Sequence, residues 1–430
     1  MSAPSPSSPS RQPVRCYYHT HFPSELVWRL FTARVADRPD TREFSCEIEI
    51  DADGSIVWKR YVSCASPDEL AKVVRGRSFR ALHIGPCFSE SAYGARRPGV
   101  VPVSKELVFD LDLQDVGWFD VDKSNQAAND RYVRAIFASC HVLVEILREV
   151  MGFEWFVPVY SGRRGVHLWV LDERAFGWGD EARAALCAFV ASTPSKNDPR
   201  VINTRHIRSN PSFGDATWAA VARAGEALLR PFAQGGVGLL DKPRDAASFL
   251  AKLVDVPTDG PERTARERER KHVAAAAKLA SSGHSGERAL QGIREAVASN
   301  AFYANRLDDV LLSLVWPAID VGATAKTNHC SKSIFSLHAK TGRVAVPVRR
   351  LFADADYALP PIVSPSHLGE SGSSGSVARM RFNEGVALLE EAVRGMAGAG
   401  AGLVCEGAAN DIEDIASAPR RKCARVWARS

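Results

Sequence analysis

The stretch ELVFDLDLQD, Glu106 to Asp115, puts two carboxylates where carboxylates are uncomfortable. Leu107, Val108 and Phe109 run apolar, and then Asp110 and Asp112 alternate with Leu111 and Leu113. Side chains two apart on a strand point the same way, so Asp110 and Asp112 would stand side by side at the end of a half-buried strand. Like charges in a poorly solvated place resist ionisation. A divalent cation removes the conflict, because hard cations take oxygen ligands. The plainer alternative is a strand end with one aspartate in water and the other capping a turn.

A second constellation, YSGRRGVHLWV, Tyr160 to Val170, gathers Ser161, Arg163, Arg164 and His167 within seven residues, hinged by Gly162 and Gly165. Gly162 and Gly165 let the backbone turn tightly and approach a ligand. The two guanidinium forks match phosphate oxygens, and Ser161 and His167 can add hydrogen bonds. A third cluster, DVGATAKTNHCSKSIFSLHAKTGR, holds Asp320, Lys332, His338, Lys340 and Arg343. Carboxylates together with this many cationic donors are equipment for a metal–triphosphate complex.

Alternating strands and helices must bring these groups together. Residues 1–14 are Ser/Pro-rich and are expected to be disordered. CYYHTHFPSELVWRLFTARV suits helices on a core, REFSCEIEIDADGSIVWKRYVS a hairpin turning at Asp51–Gly54, and FRALHIGPCFS a strand. A helix is expected from about Asn129 to Met151, stopped by Gly152. FVPVYSG and GVHLWVLD follow as strands, and residues 176–300 read as a mostly helical insert whose mixed-sign run 262–271 is a solvated helix face. SIFSLHAKTGRVAVPV, Ser333 to Val348, suggests a hairpin turning at Lys340–Gly342; GESGSSGS, 369–376, reads as a flexible linker, and 377–395 as a helix. The organisation expected is a catalytic domain over 15–175 and 301–364, interrupted by the insert, with a linker, a helix and a basic tail over 365–430.

Composition agrees with an ordinary globular chain: 430 residues, 45% hydrophobic, 24% charged, net charge +5. That mild positive balance admits a nucleic-acid partner without requiring one. There is no apolar run of membrane-spanning length, and MSAPSPSSPSRQP has no hydrophobic stretch of a secretory signal. The nine cysteines make no CxxC pair, and their odd count in a long chain that shows no secretory signal leads us to expect reduced thiols in an intracellular compartment.

ELVFDLDL, YSGRRGVHLWV and HCSKSIFSLHAKTGRVAVPV together resemble, in order, the signature segments of the catalytic small subunit of archaeal–eukaryotic DNA primase, eukaryotic branch. YYHTHFP, REFSCEIE, WKRYVS, LHIGPCFS and ADYALPPI are fainter echoes, so that the resemblance spans about 16–361. It implies an α/β (α+β) primase-type fold, a mixed-sheet catalytic domain with a helical insert subdomain. It implies that Asp110, Asp112 and Asp320 hold two Mg²⁺ or Mn²⁺ ions, and that Arg60, Ser161, Arg163, Arg164, His167, Lys332 and His338 bind the incoming nucleotide. It further implies a nuclear protein that makes RNA primers from NTPs on a single-stranded DNA template, partnered by the primase large subunit and the DNA polymerase alpha complex, with no membrane partner.

Three departures stand out. The family carries a cysteine zinc knuckle soon after the paired aspartates, whereas this chain reads VGWFDVDKSNQAANDRYVRAIF there. Cys140 and His141 are adjacent and offer half a site at most, so structural zinc is not expected, and Trp118, Phe119 and Tyr132 are expected to hold the segment by packing. His83 stands where the family has Asp, and Ile334 where it has Pro. Two other functions compete. LVFDLDL also mimics the first motif of haloacid dehalogenase-type phosphohydrolases, with Asp110 as nucleophile, but Leu113 and Gln114 follow where that family wants Thr or Ser. A non-catalytic replication scaffold is the other alternative, against which the intact acids and bases weigh.

Overall fold

A computed structural model describes residues 11–50, 55–115, 126–130, 132–191, 204–229, 271, 309–353, 356–357 and 360–397. In chain order the first elements are helices α1 (Arg11–Thr20) and α2 (Ser24–Thr32), strands β1 (Arg42–Glu49) and β2 (Ile56–Lys59), helix α3 (Pro67–Val74), and strands β3 (Phe79–Phe88), β4 (Pro102–Ser104) and β5 (Leu107–Asp112). Then come α4 (Gln126–Asp130), α5 (Val133–Met151), β6 (Phe156–Tyr160), β7 (Gly165–Val170), α6 (Glu173–Phe176), α7 (Asp180–Val190), α8 (Thr204–Arg208) and α9 (Asp215–Leu229). The last are α10 (Val321–Thr324), β8 (Ser331–Lys332), β9 (Val346–Pro347), β10 (Phe352–Ala353), β11 (Asp356–Tyr357), α11 (Pro365–Gly369) and α12 (Ser373–Ala397).

The helix-and-sheet class is as expected, but the sheet is divided. One sheet has the order β2-β1-β3-β4 with β8 also on β3, and the other has the order β5-β7-β6-β9. Every strand pairing among the described residues is antiparallel, so in place of one mixed sheet there are these two antiparallel sheets and a two-stranded one, β10-β11. Period-two patterning gives each strand of the second sheet two apolar faces. Leu107, Phe109, Leu111, Val166 and Leu168 enter a core with α5 and α9. Val108, Val157, Val159 and Trp169 enter a second core with α1, α2, the first sheet and α12. There Phe31 packs on Trp169 with ring centroids 5.0 Å apart. Asp110 and Asp112 share the face of Val108, at the open end of that second core.

Helix α5 ends as its sequence demands, with Gly152 left-handed at φ 61 and its N–H on the Arg148 carbonyl. The helix preceding it differs from expectation, since residues 126–130 form the separate turn α4 and α5 starts at Val133. Tyr132 is buried in the core, whereas Trp118 and Phe119 lie outside the described residues.

Three further expectations are corrected. Helix α1 begins at Arg11, inside the stretch read as disordered; its buried Val14, Tyr17 and Tyr18 supply the packing that composition does not reveal. Residues 333–348 are not a regular hairpin. The chain leaves β8 on the first sheet, turns through Phe335 at φ 62, makes one bridge from Leu337 to Val344, and joins the second sheet as β9. The same alternation that suggests a hairpin lets this segment serve both sheets. The linker is also shorter: Ser373–Ser376 already belong to α12, whose Phe382, Leu388, Leu389 and Ala392 are buried in the second core. Burial of that face overrides the weak helix preference of Ser and Gly. The insert is helical where described, at α7, α8 and α9; the run 262–270 and the basic tail lie outside the described residues.

Candidate active site

The register of β5 against β7 sets the first contacts. Asp110 lies opposite His167 and Asp112 opposite Gly165. A Cβ on Gly165 would meet the Leu111 carbonyl at 2.4 Å, so only glycine admits this approach of β7 to the aspartate strand. Asp320 arrives from far along the chain: its backbone N–H donates to the Asp110 carbonyl at 2.9 Å, and its side chain caps α10 by accepting from Ala323 N at 3.0 Å. The three acids are thus brought to one place. Their charges are felt: burial, then Asp112 and Asp320, push the Asp110 carboxyl from 3.8 to about 7. Asp115, which the sequence reading passed over, is also raised, by burial and then by Asp112 and Asp320.

Oxygen-rich, mutually repelling carboxylates are the donor set that hard divalent cations take. Each acid also has local work. Asp112 accepts from Gln114 N at 2.9 Å and from Arg164 Nη2 at 3.2 Å. These bonds leave further lone pairs on both oxygens. Among the described residues, no three His, Cys, Asp or Glu side chains stand in finished ligating geometry. The residues therefore fit a divalent ion in kind and in charge, with the final approach of the carboxylates left to the ion.

Opposite the acids lies the Ser161–Gly165 loop between β6 and β7. Gly162 has φ 86, and a Cβ there would sit 2.9 Å from the Arg343 carbonyl. The carbonyls of this loop are all tied inward. Ser161 O accepts from Lys332 Nζ at 3.3 Å, Gly162 O from Thr341 Oγ1 at 2.8 Å, and Arg163 O from Tyr160 Oη at 3.0 Å and Gln126 Nε2 at 2.6 Å. Arg164 O accepts from Leu113 N at 3.3 Å, and Ser161 Oγ accepts from Gly165 N at 3.1 Å. Ser161 thus shapes the loop.

The basic side chains differ in how far they are satisfied within the protein. Arg164 is buried, with Nη2 on Asp112 and on Gln114 Oε1 at 2.8 Å, while its Nε and Nη1 have no hydrogen-bond partner. Buried donors of this kind are costly unless an acceptor arrives. Lys332, paired by register with His83, is lowered to about 8 by burial, against the pull of Glu47 and Asp110. His167 is lowered to about 3 by burial and then by Lys332, so it is neutral. Its Nε2 is 3.8 Å from Asp110 Oδ1, too far for a hydrogen bond, and its Nδ1 has no partner. His338 is likewise lowered to about 2, by burial and then by Lys332 and Arg163, and its Nδ1 accepts from Lys340 N at 3.2 Å.

Arg60 is engaged differently from the others. Its guanidinium grips Glu43 through Nε and Nη2, both at 2.8 Å, and reaches Asn328 Oδ1 at 2.9 Å. Burial alone would raise Glu43, but the bonds from Arg60, Ser45 and Tyr61 N outweigh it and hold the carboxyl low. Glu43 and Asn328 were not singled out by type or spacing. Glu43 packs so close to Gly85 that a Cβ there would sit 2.5 Å from its carboxylate, a constraint that only the structure reveals. His83 Nε2 donates to Glu47 Oε1 at 2.9 Å, and its ring lies under the half-exposed Trp58 ring, centroids 4.3 Å apart. The insert contributes too, because Asp180 at the start of α7 accepts from Thr327 N at 2.7 Å and steadies the turn after α10.

Comparison with known proteins places the chain in a family. The sequence model of the family described as DNA primase small subunit matches residues 109–350. The DNA primase small subunit of Drosophila melanogaster is 25% identical over 343 residues, 77% of this chain and 75% of that one. That of Schizosaccharomyces pombe is 27% identical over 349 residues, 77% and 71% of the two chains. That of Saccharomyces cerevisiae is 24% identical over 370 residues, 81% and 83%.

Proposed function

The chain belongs to the DNA primase small subunit family, and from that premise we propose that its site joins nucleoside triphosphates into short RNA primers on a single-stranded DNA template. Membership carries primer-synthesising polymerase activity and a place among other replication factors. It sets aside the phosphohydrolase alternative. The observation that carries the proposal further is the meeting of Asp110, Asp112 and Asp320 beside the unsatisfied donors of Arg164.

In this reading Asp110, Asp112 and Asp320 would hold two Mg²⁺ or Mn²⁺ ions, which would supply Lewis acidity and charge neutralisation for nucleotidyl transfer. The chain's own groups do the rest. Arg163, Arg164 and Lys332 take phosphate oxygens, the bidentate forks fixing the triphosphate's direction. Neutral His167 and His338 offer N–H donors without adding charge. Ser161 and Arg60 also face the nucleotide in this reading, Ser161 while keeping the loop shaped and Arg60 while held by Glu43 on β1 and by Asn328. The aspartates need not act as general bases.

The partners in this reading are the primase large subunit and the DNA polymerase alpha complex, and the location is the nucleus. No helix among the described residues is long and apolar enough to cross a membrane. The test is direct. Purified protein with single-stranded template, NTPs and Mg²⁺ or Mn²⁺ should yield short labelled RNA, and Asp110→Ala, Asp112→Ala or Asp320→Ala should abolish it. Absence of product from the wild type, alone and with a large subunit, would leave a non-catalytic scaffold as the function.

A further inference from the structure

We propose that Asp130 and Arg343 are positioning residues for nucleotide binding, because with Gln126 and Tyr160 they close a ring of hydrogen bonds around the Arg163 carbonyl and so aim the arginine loop. The inference rests on the reading of Arg163 and Arg164 as triphosphate ligands.

The ring can be followed atom by atom. Arg343 Nη1 and Nη2 donate to the two oxygens of Asp130 at 2.7 and 2.9 Å. Arg343 Nη1 also donates to Tyr160 Oη at 3.3 Å, and Tyr160 Oη donates to Arg163 O at 3.0 Å. Gln126 Nε2 closes the circuit, donating to Arg163 O at 2.6 Å and to Asp130 Oδ1 at 2.7 Å. One carbonyl thus receives two donors, and both are held by the same ion pair. The pair is mostly buried, with 16% and 15% of the side chains exposed, so water competes weakly for it.

The loop has reason to need this. Arg163 and Arg164 are adjacent cations that must point at one ligand, and they repel: burial and then Arg164 lower the Arg163 pKa. Left alone, they would splay. Fixing the intervening carbonyl converts that repulsion into a preset direction. Gln126 and Asp130 lie on α4, in the segment after the paired aspartates that has no cysteine. That segment is therefore tied to the nucleotide loop by hydrogen bonds and an ion pair. A simple structural ion pair is the competing account, and it would lower stability without altering nucleotide affinity.

The experiment compares wild type with Asp130→Asn, Arg343→Gln and the double variant. Two measurements are needed: steady-state primer synthesis, and equilibrium dialysis of ATP with Mn²⁺. The expected result is a rise of about fivefold or more in both KM and Kd for the nucleotide, with the saturating rate and the template affinity within about twofold of wild type. The double variant should be no worse than either single, since all three break one ring. Arg343→Lys, which keeps charge but loses the fork, should fall between. Nucleotide affinity within about twofold of wild type, whatever the melting temperature, would overturn the proposal, as would single effects that multiply in the double. Should Asp130→Asn fail to fold, Gln126→Ala removes one bond to the Arg163 carbonyl and carries the same comparison. If wild type makes no primers, the functional reading fails, while the dialysis still decides the ring.

Discussion

Replacing Asp110 by Asn should stabilise the metal-free protein at pH 8 while abolishing primer synthesis. The Asp110 carboxyl is raised from 3.8 to about 7 by burial and then by Asp112 and Asp320. A carboxyl that binds its proton more tightly when folded costs stability wherever the unfolded chain has already released it. Below about pH 4 both states are protonated and nothing is lost; the penalty grows between about pH 4 and 7 and is complete above that. The full difference corresponds to about 4 kcal/mol. The side chain keeps 38% of its surface in water, and screening there reduces the figure to about 1–2 kcal/mol. For a chain of this length that is a rise of about 1–2 °C in the thermal midpoint. The gain should shrink to about a third at pH 5, where the folded carboxyl is still protonated. Calorimetry of both proteins in chelator at pH 5 and pH 8 reads this out, and Mn²⁺ at pH 8 should stabilise wild type but not the variant. An Asn variant less stable than wild type at pH 8, or an equal gain at both pH values, would refute the reasoning.

Other outcomes are expected. Arg163→Ala should raise the nucleotide KM about tenfold or more, the loss of one charge-assisted phosphate contact of about 1.5–3 kcal/mol; an unchanged KM would remove Arg163 from the pocket. Glu43→Ala leaves the Arg60 guanidinium and the Tyr61 N–H without their acceptor and should cost about 3–5 kcal/mol in denaturant unfolding; a cost under about 1 kcal/mol would mean the pair is merely solvated. Protein purified through mild chelation should carry no stoichiometric zinc by elemental analysis, and one zinc per chain would show that the cysteines have been misread.

Much of the site was legible because chemistry and strand period coincide. Asp110, Asp112, Arg163, Arg164 and His167 sit on or between strands whose alternation is plain, and their register follows. Asp320 and Lys332 stood out by residue type in a third cluster, but their meeting with Asp110 and Asp112 was legible only through resemblance, since nothing local says that the turn at 320 returns to β5. Glu43, Gln126 and Asp130 were not legible at all. Each is a polar residue in an ordinary context, and its role comes from a partner distant in sequence. Helix α12 was half legible: its later residues have helical spacing, but its Ser/Gly start reads as linker until the buried face is seen. The segment 333–348 shows the limit of periodicity, which states which residues face a core but not which sheet they join.

The hydrogen bond from Asp320 N to the Asp110 carbonyl also bears on the order of folding and on evolution. The two halves of the acidic centre meet only when the chain has closed a loop that contains the whole insert. A nascent chain that has not yet emerged past residue 320 can pack α5 on β5 and still have no centre, so competence should appear late in synthesis. Yet the entropic cost of closing such a loop grows only logarithmically, about 0.6 kcal/mol for each doubling of length. The length of the insert therefore bears little on the entropic cost of closure, while Asp180, within it, grips the turn at 327.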